Sequence, residues 1–87
     1  MDITQVRVEV RSEVRLKGIA SVVFDNCFAV KNLKVIENAE KRLVVFMPSK
    51  KVGEHAYADI AHPINREFRE VLEKRVLEAY QQELASK

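Results

Sequence analysis

The chain has 87 residues, of which 47% are hydrophobic, a composition that suits one small globular domain and argues against disorder. Its 15 basic and 13 acidic side chains give a net charge of +2, and a lone cysteine, Cys27, excludes an internal disulfide and favours a reducing cytoplasm. No apolar run approaches the roughly 20 residues of a membrane span, and no signal-peptide pattern opens the chain, so we expect no membrane partner. We therefore expect a single cytoplasmic domain over residues 1–87, with oligomerisation stabilising a small core.

Four strands are predicted in the first half of the chain from apolar periodicity and turn residues. The Asp25-Asn26 pair predicts a hairpin turn, and a slip in the apolar phase near Lys31-Asn32 predicts a β-bulge. Pro48 ends the last of these strands, because proline cannot donate to a sheet ladder. The predicted strands cover 3–10, 16–25, 27–37 and 42–48.

The second half of the chain changes to a helical period. A short extended piece over 56–61 is expected at a sheet edge, and Asn65 is the predicted N-cap of a long helix. The helix stripe and the phenylalanines are both assigned to the core: Ile64, Phe68, Val71, Leu72, Val76, Ala79, Tyr80 and Leu84, together with Phe24, Phe28 and Phe46. The predicted fold is α+β, a four- to five-stranded antiparallel sheet with one long C-terminal helix. Because one helix covers only one face of a sheet, we expect a homodimer to cover the other.

Positive charge is concentrated in the middle of the chain. Residues 31–53 carry six basic side chains against Glu37 and Glu40, namely Lys31, Lys34, Lys41, Arg42, Lys50 and Lys51. Such a cluster is expected of a phosphate-binding surface, and equally of a solvated face that keeps a protein soluble. Lys50 and Lys51 follow Ser49 at a strand end, where a hydroxyl and backbone amides also reach phosphate oxygens. We expect this loop to contact the nucleic-acid backbone, with help from Lys41 and Arg42.

The same segment contains residue types that are typical of catalytic and metal sites. Ser49, His62 and Asp59 could form a hydrolytic triad, but no nucleophile-elbow glycine pattern surrounds the serine. Cys27, His55 and His62 lack the spacing of zinc ligands. We therefore expect no catalytic activity, no metal and no cofactor, and we assign His62 to the entry of the helix.

Three stretches of the chain resemble one protein family. IASVVFDNCFAVKNLKVIE (19–37), FMPSKK (46–51) and DIAHPIN (59–65) are similar to the SpoVG family, named for stage V sporulation protein G and also called septation protein. The resemblance runs over nearly the whole chain. It implies a small bacterial cytoplasmic dimer with a β-sheet and a C-terminal helix, linked to septation, to sporulation and to gene regulation through binding of DNA and RNA.

The resemblance also implies roles for particular residues. The family's basic pair after Pro-Ser contacts nucleic acid, which here falls on Lys50 and Lys51, and the helix start influences sequence preference, which here means Arg66 and Arg69. The family's Lys-Arg pair is Lys-Lys in this chain, which removes a bidentate guanidinium. We expect a regulator of the septation and sporulation type that binds DNA and RNA through a basic loop at a strand end. The alternative is a module that binds division proteins through the helix flank around Leu77, without contacting nucleic acid.

Overall fold

The computed structural model describes residues 1–86, which form six strands and one helix. This confirms the predicted α+β class. In chain order the elements are β1 Ile3–Val10, β2 Leu16–Phe24, β3 Phe28–Glu37, β4 Leu43–Phe46, β5 Ser49–Lys51, β6 Tyr57–Asp59 and α1 Arg66–Ala85.

Strands β1 to β4 form one antiparallel sheet in the order β1-β2-β3-β4, so each strand pairs with its neighbour in sequence. The β2–β3 turn is the predicted one: Asp25 and Asn26 have φ of 51° and 54°, and the Cys27 amide donates to the Phe24 carbonyl oxygen at 3.0 Å. Asp and Asn are the side chains that best tolerate this left-handed conformation, which a tight hairpin requires. The turn prediction is confirmed.

The bulge predicted in β3 is also confirmed. Asn32 has a φ of 67°, and the β2–β3 register shifts between Ala20 and Val22. The extra residue places both Val30 and Leu33 against the core, although an uninterrupted strand would send them to opposite faces.

Helix α1 covers one face of the four-stranded sheet. Leu72, Val76 and Tyr80 are buried against it. The remaining buried apolar side chains are Met47, which directly follows β4, and those of the sheet: Ala20, Val22, Phe24, Leu33, Val35 and Val45. Gly18 permits the close approach of the helix, since a Cβ built on it would lie 3.2 Å from Tyr80 Cδ1. The core is therefore a single layer between one helix and one sheet face.

The start of α1 is fixed by a side-chain cap. Asn65 has extended backbone, and its Oδ1 accepts a hydrogen bond from the Phe68 amide at 2.7 Å, which confirms the predicted N-cap. The predicted stripe is only partly buried, because Val71, Leu84 and Ile64 are exposed. Within residues 1–86, no helix combines the length and the apolar character that crossing a bilayer would require.

The segment after Pro48 differs from the prediction. The sequence assigned Ser49, Lys50 and Lys51 to a loop, but they form strand β5 and pair with β6 as a separate two-stranded sheet. Local propensity gave no strand signal here, since serine and lysine are not strand formers; the extended geometry comes from pairing with a segment further along the chain. Every residue of this β5–β6 hairpin, from 49 to 60, is exposed.

Two phenylalanines assigned to the core are on the surface instead. Phe28 is 63% exposed and Phe46 is 53% exposed, whereas Phe24 is buried. In β4 the run LVVF is apolar at every position, so its sequence gives no phase, and the register with β3 alone decides that Val45 faces the helix and Phe46 faces away. The assignment of these two rings to the core was wrong.

Candidate nucleic-acid interface

The basic pair lies on the projecting β5–β6 hairpin, close to where it leaves the body of the protein. Two backbone hydrogen bonds flank the ladder, from Ile60 N to Pro48 O at 2.7 Å and from Val52 N to Ala56 O at 2.9 Å. Pro48 is buried while the hairpin residues after it are exposed. The hairpin is therefore anchored at its base and presents its side chains to solvent on both faces.

The two lysines point to opposite faces of this hairpin. Side chains alternate along a strand, so Lys50 shares a face with its cross-strand partner Ala58, and Lys51 shares the other with Tyr57. The Lys51 face also carries Ser49 and, directly opposite it, Asp59. The Lys50 face is therefore the more positive of the two, because a carboxylate offsets the charge of Lys51. This division was not predictable from the sequence, since it depends on the strand that Ser49–Lys51 forms.

Neither lysine forms an ion pair with a carboxylate within residues 1–86. The ion pairs found within residues 1–86 join Arg11 to Glu9 and Arg66 to Glu70, each at 3.4 Å. An exposed lysine without a carboxylate partner is free to neutralise a phosphate, which is the chemistry that the basic pair can supply.

The two arginines at the start of α1 differ in availability. Arg66 is exposed, and its Nε lies 3.4 Å from Glu70 Oε1, so part of its charge is already offset. Arg69 is half-buried. Basic side chains are unfavourable beside the positive end of the helix dipole, but unpaired amides at a helix N-terminus attract anions, so a bound phosphate would relieve that repulsion.

A groove brings the helix start and the base of the hairpin to the same end of the molecule. Met47, which directly precedes the buried Pro48, lines this groove of about 400 Å³ together with Asn65 and Phe68. Arg66 and Arg69 flank these helix residues. The groove therefore joins the base of the hairpin, from which Ser49, Lys50 and Lys51 extend, to the start of α1, where Arg66 and Arg69 lie.

Lys41 and Arg42 are not part of that group. They lie in the β3–β4 turn, where the Asn38 side chain accepts hydrogen bonds from the amides of Glu40 and Arg42 at 3.0 and 2.9 Å. Lys41 has a φ of 63°. This turn is at the opposite end of β4 from the hairpin, and the extended chain from Arg42 to Lys50 can span about 26 Å. Both side chains are exposed, but they form a separate basic patch.

The residues considered for catalysis and for metal binding have other surroundings. His62 Nδ1 lies 3.0 Å from the carbonyl oxygen of Pro63, at the entry of the helix. Cys27 is exposed in the β2–β3 turn. Among residues 1–86, no group of three or more His, Cys, Asp or Glu side chains is arranged to hold a metal ion.

Comparison of the sequence with known proteins identifies its family. A sequence profile named SpoVG matches residues 1–82. The chain belongs to the SpoVG family. This confirms the resemblance carried by the three stretches of the sequence, and the hairpin with Lys50 and Lys51 lies within the matched region.

Several relatives agree with this assignment over most of their length. A protein of Clostridioides difficile is 52% identical over 85 residues, which cover 97% of this chain and 91% of the relative. One from Heliobacterium modesticaldum is 51% identical, with 99% of this chain and 97% of the relative covered. One from Caldicellulosiruptor saccharolyticus is 46% identical, with 93% and 92% covered. Each carries the name "Putative septation protein SpoVG".

Proposed function

We propose that this protein is a bacterial cytoplasmic regulator of the septation and sporulation type that binds DNA and RNA through the β5–β6 hairpin. The observation that carries the proposal is the exposed, unpaired Lys50 on the hairpin face that has no carboxylate opposite it. Membership of the SpoVG family, whose relatives are named septation proteins, supports the link to septation.

In this proposal the phosphate backbone supplies most of the binding energy. Lys50 contacts phosphate directly. Lys51 and the Ser49 hydroxyl contact further phosphates from the other face of the hairpin when the nucleic acid wraps around it. Arg66 and Arg69, at the same end of the molecule, add positive charge next to the amides of the helix start. Lys41 and Arg42 steer nucleic acid toward the protein from their separate patch.

The proposed active species is a homodimer. An isolated two-stranded hairpin is marginally stable in water, yet β5–β6 is exposed throughout and displays the apolar side chains of Val52, Tyr57 and Ile60. Ile64, at 91% exposure, adds to this apolar surface beside the hairpin base. A second copy packed there would bury these side chains and would present two basic hairpins to one nucleic acid, which raises avidity.

The test of nucleic-acid binding is the salt dependence of affinity for a double variant, Lys50→Gln/Lys51→Gln. Binding to duplex DNA, single-stranded DNA and RNA is measured by mobility shift at about 50 and about 200 mM salt, a range in which phosphate contacts strongly change affinity. We expect weaker binding and a smaller salt slope for the double variant. Lys74→Gln, which removes an exposed positive charge further along α1, is the matched control and should bind like the parent. An unchanged slope of log affinity against log salt in the double variant would contradict the proposal.

The alternative, in which a division protein binds at the helix flank, has less structural support. Leu77 prompted it as an apolar side chain off the main stripe, but Leu77 is half-buried and packs against the core. The test is a pull-down from bacterial lysate. The alternative is favoured if the parent chain and Lys50→Gln/Lys51→Gln both recover a division protein and Leu77→Glu does not.

A further inference from the structure

The four-stranded sheet has a second face that helix α1 does not cover. Strand alternation sends the buried residues of β2 to the helix and turns Ile19, Ser21 and Val23 to the other side. On β4 the register does the same for Val44 and Phe46. We refer to this uncovered surface as the open face.

The open face carries an exposed aromatic ring directly beside a free lysine. Phe46, 53% exposed, is the cross-strand partner of Lys34, and Lys34 in turn pairs with Ile19. Directly opposed side chains in an antiparallel pair have Cβ atoms about 5 Å apart, so the ammonium group and the ring share one small area. Lys34 is exposed and makes no ion pair within residues 1–86.

The charge of this face is positive. Arg7, on β1, projects to the same side as Lys34, and both are exposed. Glu9 lies on the same face, opposite Ile19, and its carboxylate is 3.4 Å from Arg11, which offsets its charge. Two copies of this face packed against each other would oppose cations to cations. Charge complementarity therefore disfavours the homodimer contact that the sequence led us to expect on this face, and favours an anionic partner.

We propose that the open face is a binding site for single-stranded nucleic acid, in which a base stacks on Phe46 and the adjacent phosphate is neutralised by Lys34. A sheet face with an exposed aromatic ring and flanking cations is a surface on which unpaired bases stack, whereas the bases of a duplex are inaccessible to it. RNA and single-stranded DNA share this chemistry. The inference rests on the proposed nucleic-acid-binding function and assigns it a second contact surface.

The open face and the hairpin are close enough for one strand to reach both. Phe46 ends β4 and Lys50 lies on β5, and the chain between them spans at most about 14 Å when fully extended. A single strand that stacks on Phe46 can therefore continue to the phosphate contact on the hairpin. Duplex DNA would use the hairpin alone.

The direct test introduces a fluorophore at the stacking position. The sequence contains no tryptophan, so Phe46→Trp gives the protein a single indole whose emission is quenched when a base stacks on it. We expect quenching on addition of oligouridine or oligothymidine of about 15 nucleotides, a length within the range that a small binding module covers. A duplex of the same length should bind without quenching. Leu84→Trp, at a side chain of similar exposure near the end of α1, is the control and should not be quenched by either.

The second measurement is affinity. Replacing the ring by an aliphatic side chain, Phe46→Leu, should weaken binding of the same single strands about fivefold or more, because base–aromatic stacking is worth ~1–3 kcal/mol per base. Duplex affinity should be unchanged, and Phe46→Tyr should restore single-strand binding. Lys34→Gln should reduce the salt slope for single strands by about 0.7. Comparison of the RNA and DNA probes reports which single strand the face prefers.

The outcomes separate this inference from the proposed function. Single-strand binding that is lost in Lys50→Gln/Lys51→Gln but intact in Phe46→Leu would overturn the inference and leave the proposed function standing. Equal weakening of duplex and single-strand binding by Phe46→Leu would overturn the inference as well. So would a change in the oligomeric state of Phe46→Leu, measured by light scattering, because Phe46 would then be a contact between copies. Failure of the parent chain to bind any of the probes would overturn both.

Discussion

The division of the basic pair between two hairpin faces predicts that Lys50 and Lys51 are not equivalent. Lys50 lies opposite Ala58 on a face without a carboxylate, whereas Lys51 shares its face with Asp59. If duplex DNA contacts the more positive face, Lys50→Gln removes one phosphate contact per protomer, and Lys51→Gln removes a charge that is already partly offset.

The size of the effect follows from counterion release. One phosphate contact contributes about 0.9 to the slope of log affinity against log salt for B-DNA, so its loss changes the affinity ratio between about 50 and 200 mM salt by about 3.5-fold. In a dimer that engages one duplex with both hairpins, the slope change doubles to about 1.8. We expect this loss for Lys50→Gln and less than half of it for Lys51→Gln. Asp59→Asn should tighten binding at low salt.

The assay is fluorescence anisotropy with a labelled duplex at four or more salt concentrations, so that the slope and the affinity are measured separately. Both lysines are exposed, and so neither substitution should alter thermal stability, which serves as the control for folding. Equal slopes for Lys50→Gln and Lys51→Gln would refute the reasoning from hairpin faces, since it would mean that both ammonium groups reach phosphate equally well.

Two further predictions concern the fold that positions the site. Gly18→Ala should destabilise the protein by about 1–3 kcal/mol, because the new Cβ would lie 3.2 Å from both Tyr80 Cδ1 and Val8 Cγ1. Gly53→Ala is the control: its Cβ would lie 3.7 Å from Ala56 Cβ, so the change should be neutral or slightly stabilising. Thermal melting measures both variants. A melting temperature of Gly18→Ala equal to that of the parent would contradict the close approach of helix α1 to Gly18. Asn65→Ala should cost about 1 kcal/mol through loss of the hydrogen bond to the Phe68 amide, which lowers the melting temperature by about 4–8 °C. Asn65→Asp should retain the cap, so an equal loss in both variants would argue against it.

Much of the fold could be predicted because the signals are local. The alternation in β1, the Asp25-Asn26 turn and the Asn65 cap each depend on a few neighbouring residues, and the structure confirms all three. The bulge at Asn32 was predictable for the same reason, since the apolar phase slips within β3 itself. Family membership was also readable from short stretches of sequence, and the match over residues 1–82 confirms it.

The features that could not be predicted from the sequence depend on hydrogen-bonded pairing between strands that are distant in the chain. Ser49–Lys51 has little strand propensity, and only its register with Tyr57–Asp59 turns the basic pair from a loop into a strand with two faces. Phe46 belongs to an all-apolar strand without phase, so its exposure follows from its pairing with Lys34.

The sequence by itself determined which elements form, where positive charge accumulates and to which family the chain belongs, because composition, periodicity and motif spacing are properties of a linear chain. Tertiary structure alone decided that Lys50 and Lys51 face apart, that Lys41 and Arg42 lie at the far end of β4, and that Phe46 lies beside Lys34 on the open face. The physical reason is register: in a strand a shift of one residue exchanges the two faces, and register is set by hydrogen bonds between segments that are remote in sequence.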